Sequence, residues 1–464
     1  MSPVQVATEK MKSVDHAWLR MDEPANLMMI NGVLFFDRPL VLDEVKRVLG
    51  ERLLEIPRFQ QRVVATTRGQ RFSWEQDPTF DLDSHVVEET LASPGDDGAL
   101  QNLVSHWMST PLDRERPLWM CHLLQNYKGG CALLWRIHHC MGDGLALMLV
   151  LLSVTETEPP DPETAKEAVN PLRALFSANP PGREEARRYL EQVMPAAVGL
   201  LTGPAEKLAA ASKWIKSGVF MPTFGRMAVR LPDPRTVFKG RLGIAKRATW
   251  TEPISLDDVQ RVRQAIGGTL NDVLTNAVAG GLRRYLVRRG EVKHELSFRA
   301  IVPVSLRPLE QMARLGNQFG LVFLSLPIGI EDPRERLAEL QRRMGRLKRS
   351  FEPVVVLQVL GALGASPNAI QKLVVKIFGT KGTAVLTNVP GPERTLYFTG
   401  EPLKSFVIWV PQSARLGMGI AIVSYAGQVR VGIATDQGLV ADPESIVAGF
   451  HEEFSAMLDL AEES

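Results

Sequence analysis

Two adjacent histidines, His138 and His139, close a short apolar run and precede an aspartate-glycine pair, so that the chain reads His138-His139-x-x-x-Asp143-Gly144. Histidine is the side chain whose unperturbed pKa lies near neutrality, which lets it take a proton from a nucleophile and hand it to a leaving group. A hydroxyl attacking a thioester needs both services, because its own pKa is far above neutral and the departing thiolate takes up a proton. One imidazole beside both atoms serves the two halves of such a transfer. Two other chemistries fit parts of the pattern: His-x-x-x-Asp as metal ligands, and Cys140 beside a histidine as a nucleophile. The remaining histidines, His16, His85, His106, His122, His294 and His451, complete no zinc or iron spacing, which makes metal the weakest reading. No second base is indicated for Cys140. A histidine at a strand end is also a common packed residue, so the pattern has to be weighed with its surroundings.

Those surroundings are residues 131–152, CALLWRIHHCMGDGLALMLVLL. The apolar run before the histidines has the length of a strand, Gly142-Asp143-Gly144 breaks it, and the apolar segment that follows has the length of a buried helix. Asp143 is placed to accept hydrogen bonds from the first free amides of that helix. The pattern therefore predicts strand, tight turn and helix, with both imidazoles held rigidly where the strand ends.

Composition sets the outer bounds. At 464 residues, with 45% apolar and 23% charged side chains, the chain is globular and exceeds what one core usually supports. A net charge of +2 argues against nucleic acid as a partner. The three cysteines, Cys121, Cys131 and Cys140, make no disulfide framework and point to reduced thiols in the cytosol. The first residues, MSPVQVATEKMKSVDHAWLRMDEP, carry charges throughout and do not read as a signal peptide. No apolar run is long enough to span a bilayer, so membrane contact is expected to be peripheral.

Strands interleave with helices on both sides of a proline-rich, basic middle, which predicts an α/β layered architecture of three parts: residues 1–170, a crossover at 171–247, and 248–464. The crossover holds fourteen Lys and Arg against five Asp and Glu, a local net of +9 in a chain of +2. Residues 193–216 pair an uncharged apolar stretch with Lys207, Lys213, Trp214 and Lys216, a composition suited either to an anionic lipid surface or to a solvated linker. The same positive charge would attract a polyanion such as coenzyme A. In the second half, helices are expected at 256–266, from an opening at 267–272 to about 288, and at 334–349, with an apolar one at 354–363 that carries Gly361 and has Gly364 just after it. Those glycines suit either close helix packing or room for an alkyl chain. Thr269, Asn271 and Asp272 all suit a helix N-terminus. A hairpin is expected about Ala426-Gly427, and 406–410 reads as a strand of the second half.

No phosphate loop, dinucleotide fingerprint or GxSxG turn follows any predicted strand. Direct transfer with a histidine base is what remains. At this point the chain resembles the bacterial wax ester synthase/acyl-CoA:diacylglycerol acyltransferases along nearly its whole length. The histidine motif is shared with the wider superfamily of chloramphenicol acetyltransferase and condensation domains. Pro117-Leu118-Trp119, Asn271-Asp272, Val302 to Arg307, Gly316-Asn317, Thr387 to Pro392 and Ser424-Tyr425-x-Gly427 are similar to family segments, in family order.

The resemblance implies two acetyltransferase-like domains joined by a long, mostly helical crossover, with a tunnel between them. It implies acyl-CoA as co-substrate, with no permanently bound cofactor, and a fatty alcohol or diacylglycerol as acceptor. His139 would be the general base and His138 a support for the turn. Asp143 would turn away from the base toward an arginine, with Arg307 the candidate, while Gly144 keeps the turn tight. Asn271 would face the oxyanion or orient substrate beside Asp272, and Trp119 would pack beneath the site with Pro117. A cytoplasmic protein touching the inner membrane face or lipid droplets is expected. The alternatives are a condensation-type enzyme fed by a carrier protein and a catalytically silent lipid-binding or lipid-droplet protein.

Overall fold

The run GCALLWRIH contains one charged residue and no turn former inside it, and it becomes the strand Gly130–His138, buried at every position. A strand buried on both faces belongs in the middle of a sheet. In the computed structural model, which describes residues 8–66, 71–159, 183–194, 220–307, 315–412 and 416–463, it lies between Met29–Phe36 and Trp119–Tyr127, antiparallel to both. Val86–Thr90 extends this sheet on one side, parallel to Trp119–Tyr127. The opposite edge is Ser405–Trp409, paired antiparallel with Met29–Phe36. This continuous apolar run is a strand, as the sequence predicts, and although it lies within residues 248–464 it completes the sheet that holds the histidine strand. A short apolar run fixes a strand, not the sheet it joins.

The second sheet runs in the order Phe319–Leu326, Phe298–Ser305, Ala384–Pro390, Met418–Tyr425, Gln428–Asp436 and Lys246–Trp250, with Ile254–Ser255 also on Gln428–Asp436. Ala426 and Gly427, with φ of 45° and 77°, make the two-residue turn that the sequence predicts at this hairpin. Phe298–Ser305 and Ala384–Pro390 are parallel but pair only at Ala300 with Ala384 and Ile301 with Val385. Beyond those pairs the two strands part, and the sheet has a slot.

Two helices absent from the sequence reading frame the region above the slot. Ser13–Met21 lies against Glu352–Ala365, where Gly364 is required: a Cβ there would stand 1.6 Å from the Ser13 carbonyl oxygen. Close helix packing therefore accounts for this glycine. Asn368–Gly379 follows and buries Gln371, whose amide donates to the Ala17 carbonyl at 2.7 Å. One apolar core takes Trp18 and Leu149 together with Phe319 and Val355, so it crosses between the halves. A second core lies between the second sheet and the helices Leu270–Arg288 and Glu444–Glu462. Of the crossover, the helices Arg183–Val193 and Phe220–Ala228 are described. The 193–216 stretch, apart from residues 193 and 194, lies outside the described residues. Among the described residues no helix is long and apolar enough to cross a membrane.

Candidate active site

The turn after the histidine strand is pinned at nearly every residue. His139 donates its amide to the Met28 carbonyl at 2.7 Å, Met141 donates to His138 at 3.0 Å, and Gly316 donates to Met141 at 3.0 Å. Gly316 has a φ of +109° and a Cβ would meet the Asp15 carboxylate at 3.0 Å, so only glycine lets the loop from the second half approach this closely. Asp143 caps the helix Gly144–Val154, accepting from the Ala146 amide at 3.0 Å. That helix carries no charge on any face, and burial in the core is what such a sequence requires.

His138 and His139 have separate surroundings. His138 Nδ1 accepts the Cys140 amide at 3.1 Å, which places the proton on Nε2, 3.8 Å from Asp22 Oδ2. Its own amide donates to the Leu118 carbonyl at 2.9 Å. Pro117-Leu118-Trp119 thus secures the end of the histidine strand from the neighbouring one. Trp119 is fully buried, donates Nε1 to the Phe59 carbonyl at 2.8 Å and stacks on His85.

His139 lies under Trp18, with ring centroids 4.5 Å apart and planes inclined by 13°, and Phe319 is 5.5 Å away. Burial pushes its imidazole down to about 4, opposed by a hydrogen bond with its own carbonyl and by the charge of Asp143. Asn317 holds that carbonyl through Nδ2 at 2.7 Å. The same Nδ2 and the Asn317 amide both donate to Asp15 Oδ1 at 2.8 Å. Burial raises Asp15 to about 6 against these two hydrogen bonds. Cys140 is fully buried, which pushes its thiol well above the usual range and leaves no thiolate for nucleophilic chemistry.

Asp143 points away from His139. Its Oδ2 accepts from Arg307 Nη2 at 2.7 Å and from the Gln318 amide at 3.1 Å. Burial would raise this carboxyl, but the Arg307 guanidinium and the amides of Ala146 and Gln318 outweigh it and hold the pKa below the usual range. Arg307 also donates to the Gly316 carbonyl. The pair fastens the turn of the first half to the slotted sheet of the second.

Two cavities flank the slot. One, of about 190 Å³, is lined by Trp18, His139, Gly144, Leu145 and Phe319 together with residues of both parted strands. The other, of about 460 Å³, lies over the start of the helix Leu270–Arg288 and is lined by Asn271. Pro303, Val304, Asn388 and Pro390 border both. Thr269 and Asp272 form a reciprocal capping box, at 3.2 and 3.0 Å, so Asp272 belongs to the helix end. Asn271 is left free of capping, and its Oδ1 accepts from Asn388 Nδ2 at 2.9 Å. The structure therefore puts Asn271 in the cavity next to that of His139, with Asn388 between them. Beside Gly144 a Cβ would meet nothing within 4 Å, so its absence keeps the His139 cavity open.

Asp15, Trp18, Asn317 and Asn388 belong to this site without having been assigned roles from sequence. Asp15, Trp18 and Leu19 recur at helical spacing and are all buried, a signal hidden within a charged segment. Asn317 and Asn388 stand in segments that the sequence comparison singles out, with nothing local to show what they touch.

A fold of two halves with a His-x-x-x-Asp turn at their junction is that of CoA-dependent acyltransferases and condensation domains. The wax ester synthase/diacylglycerol acyltransferase from Marinobacter aquaeolei superposes with a TM-score of 0.68 at 22% identity, covering 98% of this chain and all of that one. The first condensation domain of the calcium-dependent antibiotic synthetase gives 0.60 at 14% identity over 98% and 97%. Residues 11–274 match the wax ester synthase/diacylglycerol acyltransferase catalytic domain, and 315–458 match the WS/DGAT C-terminal domain. The chain belongs to this family and is an acyltransferase. A protein of Mycobacterium tuberculosis named as a diacylglycerol O-acyltransferase is 27% identical over 430 residues, 89% of this chain and 87% of its own length. Another from that organism is 28% identical over 400 residues, 83% and 84% of the two chains.

Proposed function

We propose that the protein moves a long-chain acyl group from acyl-CoA to the hydroxyl of a fatty alcohol or a diacylglycerol, with His139 as general base. The observation that carries this reading is a buried imidazole, stacked under Trp18, that lines a largely apolar cavity with Asn388 standing between it and a second one. A ring pushed down to about 4 is unprotonated at neutral pH and ready to accept a proton. Nδ1 is buried with no partner outside its own residue, and Nε2 is the ring atom left to face substrate.

In this reading Nε2 takes the acceptor's hydroxyl proton as the oxygen attacks the thioester carbonyl. The tetrahedral intermediate collapses by breaking the carbon-sulfur bond, and the same proton passes to the CoA thiolate. Asn388 is the amide in the wall nearest both cavities that can donate to the oxyanion. Asn271 accepts from Asn388 through Oδ1, which orients that amide and leaves the Nδ2 of Asn271 to donate to the oxyanion or to orient substrate. His138, Asp143 and Arg307 hold the turn, and Trp18 excludes water from the base. Acyl-CoA is a substrate that comes and goes, and the protein works at the cytoplasmic face of a membrane or on lipid droplets.

The test is release of CoA thiol from palmitoyl-CoA with hexadecanol or dioleoylglycerol as acceptor. Acceptor-dependent release that falls by about 10² or more in His139→Ala supports the reading. No release with either acceptor, together with turnover of a carrier-protein thioester, would replace it by the condensation-type alternative.

A further inference from the structure

We infer that the helix Asn368–Gly379 and residues 220–231 form a face that seats on an anionic lipid surface and opens toward His139 from beneath. This rests on the acyl-transfer reading for its purpose, though not for its geometry. Of the nine large hydrophobic residues exposed among the described residues, six are here: Met221, Val229, Leu231, Ile370, Leu373 and Ile377. Ile370, Leu373 and Ile377 follow each other at i, i+3 and i+7, one stripe along the helix. Leu373 is 58% exposed and Leu231 78%, values that a soluble surface rarely gathers in one place.

The two segments are fastened to each other. Phe224 and Phe378 have ring centroids 6.1 Å apart, Lys381 Nζ donates to the Ala228 carbonyl at 2.9 Å, and the Asp233 amide donates to the Thr380 carbonyl at 3.1 Å. The patch is thus a fixed surface.

Its charge selects the partner. Neither helix contains an aspartate or glutamate, while Arg226, Lys372 and Lys376 lie among the apolar residues. Among the described residues, Glu23 lies 3.3 Å from Lys372 Nζ in a pair exposed on both sides, and Glu352, itself buried, pairs with Arg230. Apolar side chains interspersed with cations are the complement of anionic headgroups over acyl chains. A second copy is a poorer fit, because a two-fold contact through this stripe would bring each lysine pair against its own counterpart.

Beneath the face lies an apolar cavity of about 80 Å³, lined by Phe224 and Phe378 on the outer side. On its inner side are Trp18, Ile301 and Leu321, which also line the cavity of His139. An apolar route therefore leads from the exposed patch to the ring that covers the base. A lipid substrate following it never enters water.

The experiment is flotation of the full-length protein with vesicles of phosphatidylcholine, alone or with phosphatidylglycerol. A Leu373→Asp/Ile377→Asp variant should bind phosphatidylglycerol vesicles about tenfold less than wild type, with an unchanged melting temperature. Val287→Asp, which alters an exposed hydrophobe elsewhere, should bind as wild type does. Lys372→Glu/Lys376→Glu should lose only the increment due to phosphatidylglycerol. Transfer to vesicle-borne dioleoylglycerol should fall in parallel with binding, while transfer from octanoyl-CoA to a soluble short-chain alcohol should stay within about twofold of wild type. Wild-type binding by the Leu373→Asp/Ile377→Asp variant overturns the proposal. So does a dimer by light scattering that this variant converts to monomer without any vesicle binding in the parent. If wild type floats as expected but transfers no acyl group to either acceptor, the docking face stands and the acyl-transfer reading fails.

Discussion

Trp18 lies flat over His139, 4.5 Å between ring centroids and 13° from parallel, so the proposed base is roofed by a residue from the far N-terminal end of the described chain. The lid is apolar, and burial is the main reason the imidazole is pushed down to about 4. The acid limb of kcat/KM is therefore expected near pH 4 to 5, well below that of a free histidine. Trp18→Ala should move the limb up toward 6.5 and lower kcat by about tenfold or more, while Trp18→Phe should retain most of both. A pH-rate profile of the three proteins checks this. The same shift has a cost in stability with a definite sign. Between pH 6.5 and about 4 the unfolded chain binds a proton on this histidine that the folded chain does not, so His139 withdraws up to about 3 kcal/mol as pH falls through that window.

Asp143 and Arg307 form an ion pair with side chains 8% and 1% exposed. Deleting one member of such a pair leaves the other charged and buried, which costs about 3–5 kcal/mol. Asp143→Ala is expected to lower the melting temperature by several degrees, more than His139→Ala. Asp143→Asn, which keeps the cap to Ala146, should lose less. Calorimetry on the three variants separates the structural aspartate from the proposed base.

Asp15 reaches the His139 carbonyl through Asn317. Asp15→Asn retains an oxygen able to accept both Asn317 donors and should keep kcat within about fivefold. Asp15→Ala releases Asn317 and with it the His139 carbonyl, and a displaced base should reduce kcat by about 10- to 100-fold with little change in KM. Steady-state kinetics on both variants checks it.

Asn271 and Asn388 share a 2.9 Å hydrogen bond and should behave as a unit. Each alanine variant alone is expected to lower kcat by about tenfold or more, and the double variant by little beyond the worse of the two. Additive losses in a double-mutant cycle would mean that the two asparagines contact substrate independently.

How much of this was legible in the sequence depended on the range of the interaction. The strand, turn and helix around His138 and His139 are local, and their patterning foretold them nearly to the residue. Asp143 as cap and Ala426-Gly427 as a turn are likewise set by neighbours. Asn271 shows where local reading stops: three residues suited the helix end, and only packing reveals that Thr269 and Asp272 take that task and leave Asn271 for Asn388. The helix Ser13–Met21 is nine residues long in a charged segment, too short for its period to stand out, and with it went Trp18 and Asp15. The slot in the second sheet arises from where two strands stop pairing, and no single-residue preference encodes it.

The edge of the first sheet is delivered late. Phe35 pairs with Ser405, so during synthesis the outer edge of Met29–Phe36 waits unpaired until most of the chain has left the ribosome, roughly 20–80 s at usual elongation rates. An apolar strand with an open edge is a template for association with other chains. The nascent protein thus passes through a period in which its most exposed liability is the very strand that will lie beside its histidines, and a fragment ending before residue 405 would never leave it.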